Sequence, residues 1–246
     1  MQKNASICPS TMKLVKLLAN LGYGSRRDSQ RLIRSGAVTD LAGTALGDSD
    51  LRPHEQILVR GEALDPPSPL VILLNKPDGF TCSTEDPGET IYDLLPARYA
   101  LRNPGLNPIG RLDKDTTGLL LLTDDGKLLH KIIHPKSSCL KVYHVILDRP
   151  LEGHEVELFA SGTLVLNSES KPLLPARLEV IGEKAALITL HEGRYHQVRR
   201  MFAAAGNHVL ALKRTSIGGL SLPAELEEGG WYHLSSEEVR SIFLSS

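Results

Sequence analysis

Asp113 and Asp115 stand in the segment Gly110-Arg111-Leu112-Asp113-Lys114-Asp115-Thr116-Thr117-Gly118, which runs directly into the apolar stretch Leu119 to Leu122 and the turn Thr123-Asp124-Asp125-Gly126. Two glycines bracket an arginine, two carboxylates and two hydroxyls, and a buried strand then anchors the segment, which is how a reactive loop is held rigid. A carboxylate in such a loop serves as a nucleophile, a general base, a metal ligand or an ordinary turn residue. The Asp-x-Asp pair raises a magnesium site for phosphate or sugar transfer. Against it, a lysine separates the acids, no third carboxylate or histidine stands at a recognisable spacing, and there is no glycine-rich phosphate loop. Taken alone, the pair reads as turn chemistry. Arg111 beside Asp113 and a cationic block around Arg199 tilt the balance toward an aspartate paired with a cation, its pKa held low, as a nucleophile requires.

That block is His191-Glu192-Gly193-Arg194-Tyr195-His196-Gln197-Val198-Arg199-Arg200-Met201-Phe202, ending at Gly206. From about Tyr195 it predicts a helix, with Val198, Phe202 and Ala205 spaced for burial and Gly206 as the stop. His191, His196 and His208 show no i, i+4 zinc pair and no cysteine nearby, so they read as structural or RNA-facing. Tyr143 lies in a predicted strand, Leu140 to Leu147, whose alternation puts Lys141, Tyr143, Val145 and Leu147 on one face. Such a tyrosine is a core or interface aromatic, or a platform for a base held out of its helix.

The positioning elements follow from periodicity. Leu14, Leu17, Leu18 and Leu21 predict an amphipathic helix over 12–21, and Ser25 three residues before Asp28 predicts a capping box opening a second helix to Ser35. Arg27, Arg31 and Arg34 share a face of that helix and suit phosphates as well as solvent. Strands are expected at 37–39, 56–60, 70–74, 176–181, 185–190, 208–212 and 217–222. Short helices are expected from Thr90 to Leu95, from Lys127 to Ile133 and after the Ser235-Ser236-Glu237-Glu238 capping box, with 98–108 as a flexible approach to the Asp113 loop. The run Leu64-Asp65-Pro66-Pro67-Ser68-Pro69 cannot continue a helix or a central strand and reads as an interdomain linker.

With 246 residues, 41% of them hydrophobic, the chain can bury one large core or two smaller ones. No apolar run approaches the roughly 18 residues that span a bilayer and no leader is evident, so a soluble, cytoplasmic protein is expected. Cys8, Cys82 and Cys139 are too scattered for a disulfide framework or a zinc site. The net charge of −1 gives no global preference for a polyanion, but a neutral average can conceal one basic face.

Gly110-Arg111-Leu112-Asp113 with Thr116-Thr117-Gly118-Leu119, and Glu192-Gly193-Arg194-Tyr195-His196-Gln197-Val198-Arg199-Arg200-Met201, resemble the motif blocks of pseudouridine synthases, in particular the branch of ribosomal small-subunit pseudouridine synthase A. Asn75-Lys76-Pro77, Cys82-Ser83-Thr84-Glu85-Asp86, Lys141-Val142-Tyr143 and Gly206-Asn207-His208-Val209 match that branch too. Residues 12–63 resemble an S4-like RNA-binding domain, 1–11 being a tail, 64–69 the linker and 70–246 the catalytic domain. The resemblance implies an α+β fold: an antiparallel-rich mixed sheet with flanking helices and a central RNA cleft. It implies isomerisation of a uridine in ribosomal RNA, with Asp113 catalytic, Tyr143 packed on the uracil, Arg199 paired with Asp113, and Arg111 holding the flipped nucleotide. Lys76, Arg194, His196 and Arg200, with Arg27, Arg31 and Arg34, are the expected RNA contacts, and Asp115 is expected to shape the loop. No cofactor or metal is implied, and the expected state is a monomer whose partner is ribosomal RNA or a partly assembled small ribosomal particle. The competing readings are a sibling activity on large-subunit RNA, a silent RNA-binding assembly factor and a metal-dependent transferase.

Overall fold

The computed structural model describes residues 12–83, 85, 87–134, 137 and 139–244; the expected tail, Cys8, Thr84 and Asp86 lie outside them. The described chain forms two compact units, residues 12–70 with 95–106 and residues 71–94 with 107–244. Among the described residues no helix is long and apolar enough to cross a membrane.

In the first unit, helix α1 (Leu14–Asn20) buries Leu14, Val15, Leu17 and Leu18, as its spacing requires. Helix α2 (Arg26–Arg34) opens on the reciprocal Ser25–Asp28 capping box, a device worth about 1 kcal/mol. Strands β1 (Val38–Asp40), β2 (Ile57–Val59) and β3 (Glu62–Ala63) form an antiparallel sheet that closes the core over Leu18, Leu21, Ile33 and Val38.

Residues 64–69, read as linker, are pinned to this unit. The Asp65 carboxylate is buried, accepts from Arg98 Nη2 at 2.8 Å and also meets Arg98 Nε and the Tyr99 hydroxyl. Most of the segment expected as a flexible approach at 98–108 instead belongs here: residues 95–106 carry a 3-10 turn at Ala97–Leu101 and pack in this unit. The approach is close enough that a Cβ on Gly22, whose φ is +89°, would lie 2.0 Å from the Arg98 carbonyl oxygen. The helix expected from Thr90 to Leu95 is a turn, in which the Asp93 carboxylate accepts from Thr90 N at 2.7 Å and Oγ1 at 2.9 Å.

The second unit is built on a nine-stranded sheet. Its strands are β4 (Val71–Lys76), β5 (Asn107–Ile109), β6 (Thr116–Thr123), β7 (Lys141–Leu147), β8 (Arg177–Gly182), β9 (Ala185–Leu190), β10 (Val209–Ile217), β11 (Leu220–Ser221) and β12 (Trp231–His233). The order is β12-β4-β6-β10-β7-β9-β8, with β5 added to β6 and β11 to β10. Only β6 and β10 pair in parallel, so the sheet is the expected antiparallel-rich mixed one. Strands β4 and β6 are buried along both faces, which is why they read as unbroken apolar runs.

Helices α3 (Gly126–Ile133), α4 (His154–Ala160), α5 (Gln197–Ala204) and α6 (Ser236–Ser241) flank the sheet. Asp125 caps α3 and the predicted Ser235–Glu238 box caps α6. The core meets between α4 and α5, where Phe159 and Phe202 pack edge to face at 5.1 Å. Strand β10 runs unbroken through residues 213–216, where the sequence suggested an interruption, and that continuity carries Arg214 into the sheet.

Candidate active site

The loop before β6 is gripped from both neighbouring strands. From β4, the buried Lys76 ammonium donates to the carbonyls of Pro77 (3.1 Å), Lys114 (2.9 Å) and Thr116 (3.0 Å). Its three donors are thereby used, so Lys76 holds the loop and has nothing left for the RNA contact expected of it. Burial pulls its pKa below the usual lysine value.

From β10, Arg214 is 2% exposed and donates through Nε to the Leu119 carbonyl at 2.7 Å and through Nη2 to the Gly110 carbonyl at 3.0 Å. The parallel register sets Arg214 opposite Gly118, and a Cβ on that glycine, at φ +96°, would lie 2.3 Å from the Arg214 carbonyl oxygen. The second glycine of the motif is there for this strand contact.

Asp113 emerges from that fixed loop with its side chain 30% exposed. The His196 imidazole faces it, with Nε2 3.4 Å from Oδ1. Arg199, expected on Asp113, instead engages Asp115 through Nη2, at 2.9 Å to Oδ2 and 3.3 Å to the carbonyl, and donates through Nη1 to the Val209 carbonyl at 3.0 Å. Two acceptors on one residue draw the guanidinium fork away from Asp113. The two acids of the Asp-x-Asp pair therefore face different groups, Asp113 the His196 imidazole and Asp115 the Arg199 guanidinium. The Asp113 pKa is raised, not lowered as the sequence suggested: burial dominates and the Asp115 charge adds to it, while His196, Arg199 and Lys76 pull the other way. Among the described residues no group of three or more His, Cys, Asp or Glu is placed to hold a metal ion.

A pocket of about 310 Å³ opens beside Asp113, lined by Arg111, Tyr143, Lys141, Tyr195, His196 and Arg214 among others. Tyr143 pairs across the sheet with Arg214, whose guanidinium carbon is 6.0 Å from the ring centroid, at the outer limit of a cation–π contact. Leu190 and Leu212 from β9 and β10 complete an apolar floor. Arg111 is exposed at the mouth.

Arg194 and Arg200 do not present free forks. Arg194 binds Glu169, Glu192 (3.0 Å) and the carbonyls of Lys171 and Pro172, and Arg200 binds Glu169 (2.6 Å) and the carbonyls of Asn167 and Tyr195. They strap residues 167–172 to the start of α5, a use the sequence could not disclose without Glu169 as partner. Arg27 and Arg34 are exposed on α2 and make no ion pair among the described residues, whereas Arg31 meets Asp28 at 3.2 Å.

The geometry thus assembles Asp113, Tyr143, Arg111 and His196 around one cavity and holds Arg199 on Asp115, two residues along the loop from Asp113. Arg214 was missed by sequence reasoning. The available signal was a cation two residues beyond Leu212 in a strand of buried alternation.

A family model described as RNA pseudouridylate synthase matches residues 70–204. The ribosomal small subunit pseudouridine synthase A of Vibrio cholerae is 41% identical over 94% of this chain and its own full length. That of Escherichia coli (strain K12) is 41% identical with the same coverage. A solved structure described as a crystal structure of pseudouridylate synthase superposes with a TM-score of 0.67 at 38% identity, covering 94% of this chain and all of that one.

Proposed function

The chain belongs to the RNA pseudouridylate synthase family, and from that premise we propose that it isomerises a uridine of small-subunit ribosomal RNA through Asp113. The observation that carries the assignment of Asp113 is the pocket, which brings the half-buried carboxylate and Arg111 of one loop together with Tyr143 of β7 and His196 from the start of α5. The reaction breaks the N1–C1′ bond, turns the base and forms a C5–C1′ bond. The C5 proton leaves to solvent and N1 gains one, so the balance needs no oxidant, reductant or second substrate.

In this reading the flipped uracil lies on Tyr143, which keeps the detached base in place between cleavage and rejoining. Arg111 at the mouth engages the backbone of the extruded nucleotide and offsets an unstacking cost of a few kcal/mol. Arg199 fixes the loop through Asp115 and favours the Asp113 anion by its charge.

The test is tritium release from transcripts carrying uridine tritiated at C5. Stoichiometric release from small-subunit RNA, unaffected by chelator, is expected. Release only from large-subunit RNA would reassign the substrate, and release from neither would leave a binding factor.

The pH profile has a defined direction. The anion is the active form and its pKa is raised by burial, so kcat/KM falls on acidification at a pH above the ordinary aspartate value of about 3.9. His196 is the strongest influence lowering that pKa, so His196→Gln moves the acid limb further up. A limb that stays put or moves down in the variant contradicts this role.

The first unit is proposed as the S4-like RNA-binding module. Arg27 and Arg34 are exposed, and Lys13, Lys16 and Arg26, together with the acidic Asp48, line a hollow beside α1. The double variant Arg27→Gln/Arg34→Gln lowers the slope of log K against log salt by about 1.5, near 0.7–0.9 for each phosphate no longer neutralised. An unchanged slope would remove these residues from the interface. Point variants suit this test better than deletion to Asp65, which would strip Arg98 and Tyr99 of their carboxylate.

A further inference from the structure

Tyr195 is 75% exposed at the rim of the pocket, and the roles given above leave it unused. One face of its ring stacks on the His196 imidazole, with centroids 3.9 Å apart and planes 17° off parallel. The exposed area is therefore largely the other face. His196, in turn, adopts the left-handed conformation, φ 49° and ψ 34°, as the residue preceding α5. A non-glycine residue held there carries strain that persists only where its surroundings over-determine it.

Here they do. Gln197 Oε1 accepts from Arg194 N at 2.8 Å, Gln197 N donates to the Arg194 carbonyl at 3.1 Å, and Arg200 Nη1 donates to the Tyr195 carbonyl at 3.2 Å. Glu169 joins both arginines. The backbone under Tyr195 is thus tied from several directions while its ring lies bare, which is the reverse of a mobile surface loop.

We propose that the open face of Tyr195 is a stacking subsite for the base of a nucleotide flanking the isomerised uridine. A fixed, exposed aromatic has little entropy to lose on binding, and every base offers a flat π-face whatever its sequence. The ring leans on His196, which reaches to 3.4 Å of Asp113, so Tyr195 stands on the rim of the cavity that holds the carboxylate. The flanking base, unstacked when its neighbour is flipped out, recovers on Tyr195 the stacking it gave up. The inference rests on the proposed RNA substrate.

The test uses the full chain and small-subunit RNA, first as transcript and then as a synthetic fragment spanning the uridine that tritium release maps. Tyr195→Leu is expected to lower kcat/KM by about 5- to 150-fold, the range for one missing base stack, with the loss falling on KM because stacking holds substrate and transition state alike. Tyr195→Phe and Tyr195→Trp restore it. An abasic residue on one side of the uridine costs the wild type a similar factor and costs Tyr195→Leu nothing further. The proposal is overturned if Tyr195→Leu matches the wild type, if its loss falls on kcat and Phe does not restore it, or if the abasic fragments penalise both enzymes equally. A wild type that isomerises no uridine would defeat the proposed function itself, and this subsite with it.

Discussion

Asp113→Asn is expected to abolish tritium release, by at least about 10⁴-fold or some 5.5 kcal/mol of transition-state stabilisation, while RNA affinity stays within a few-fold of the wild type. The amide keeps the shape of the side chain but cannot ionise. The loop around it is held by Lys76 and Arg214, neither of which touches the Asp113 carboxylate, so the pocket survives the change.

The same substitution should not destabilise the protein. Burial raises the Asp113 pKa above its unfolded value, so ionising it in the folded state costs free energy. That cost is absent below the unfolded pKa, grows as pH rises toward the folded pKa, and is constant above it. Thermal unfolding should accordingly find Asp113→Asn at least as stable as the wild type at neutral pH, with any advantage shrinking on acidification. Activity within tenfold of wild type would sink the assignment of Asp113, and a variant that melts early at neutral pH would contradict the electrostatic account.

Arg214→Met is expected to damage both stability and rate. Arg214 is buried in the sheet with two carbonyls depending on it, those of Leu119 and Gly110. Each carbonyl left without a donor costs about 1–3 kcal/mol, and a loss near 4 kcal/mol corresponds to a fall in melting temperature of roughly 10 °C for a unit of this size.

The rate should fall about 10²-fold even well below the melting temperature, since Gly110 leads directly into the Asp113 loop and small displacements of a reacting group carry penalties of that order. Arg214→Lys, with a point charge in place of a fork, should be intermediate on both measures. Melting curves and single-turnover rates decide the matter: a Met variant with wild-type stability and rate would show that β10 does not position the loop.

The sequence determined the parts whose causes are local. Capping boxes at Ser25 and Ser235, the amphipathic spacing of α1, and the apolar runs of β4 and β6 are each visible within a few residues of chain and stand where the spacing put them. The motif blocks likewise singled out the loop carrying Asp113 and the cationic start of α5.

Tertiary structure decided what depends on partners distant in the chain. Arg199 turns to Asp115 because that residue offers two acceptors, and Arg194 and Arg200 are claimed by Glu169, about thirty residues earlier. Lys76 and Arg214 look like surface cations in sequence, yet both are buried because the sheet order β4-β6-β10 sets them on either side of the same loop and supplies carbonyls to their donors. Residue spacing specifies which groups lie on one face of an element. Which acceptor satisfies a long cationic side chain is settled only when the sheet closes, since the cost of burying an unpaired charge leaves it no alternative.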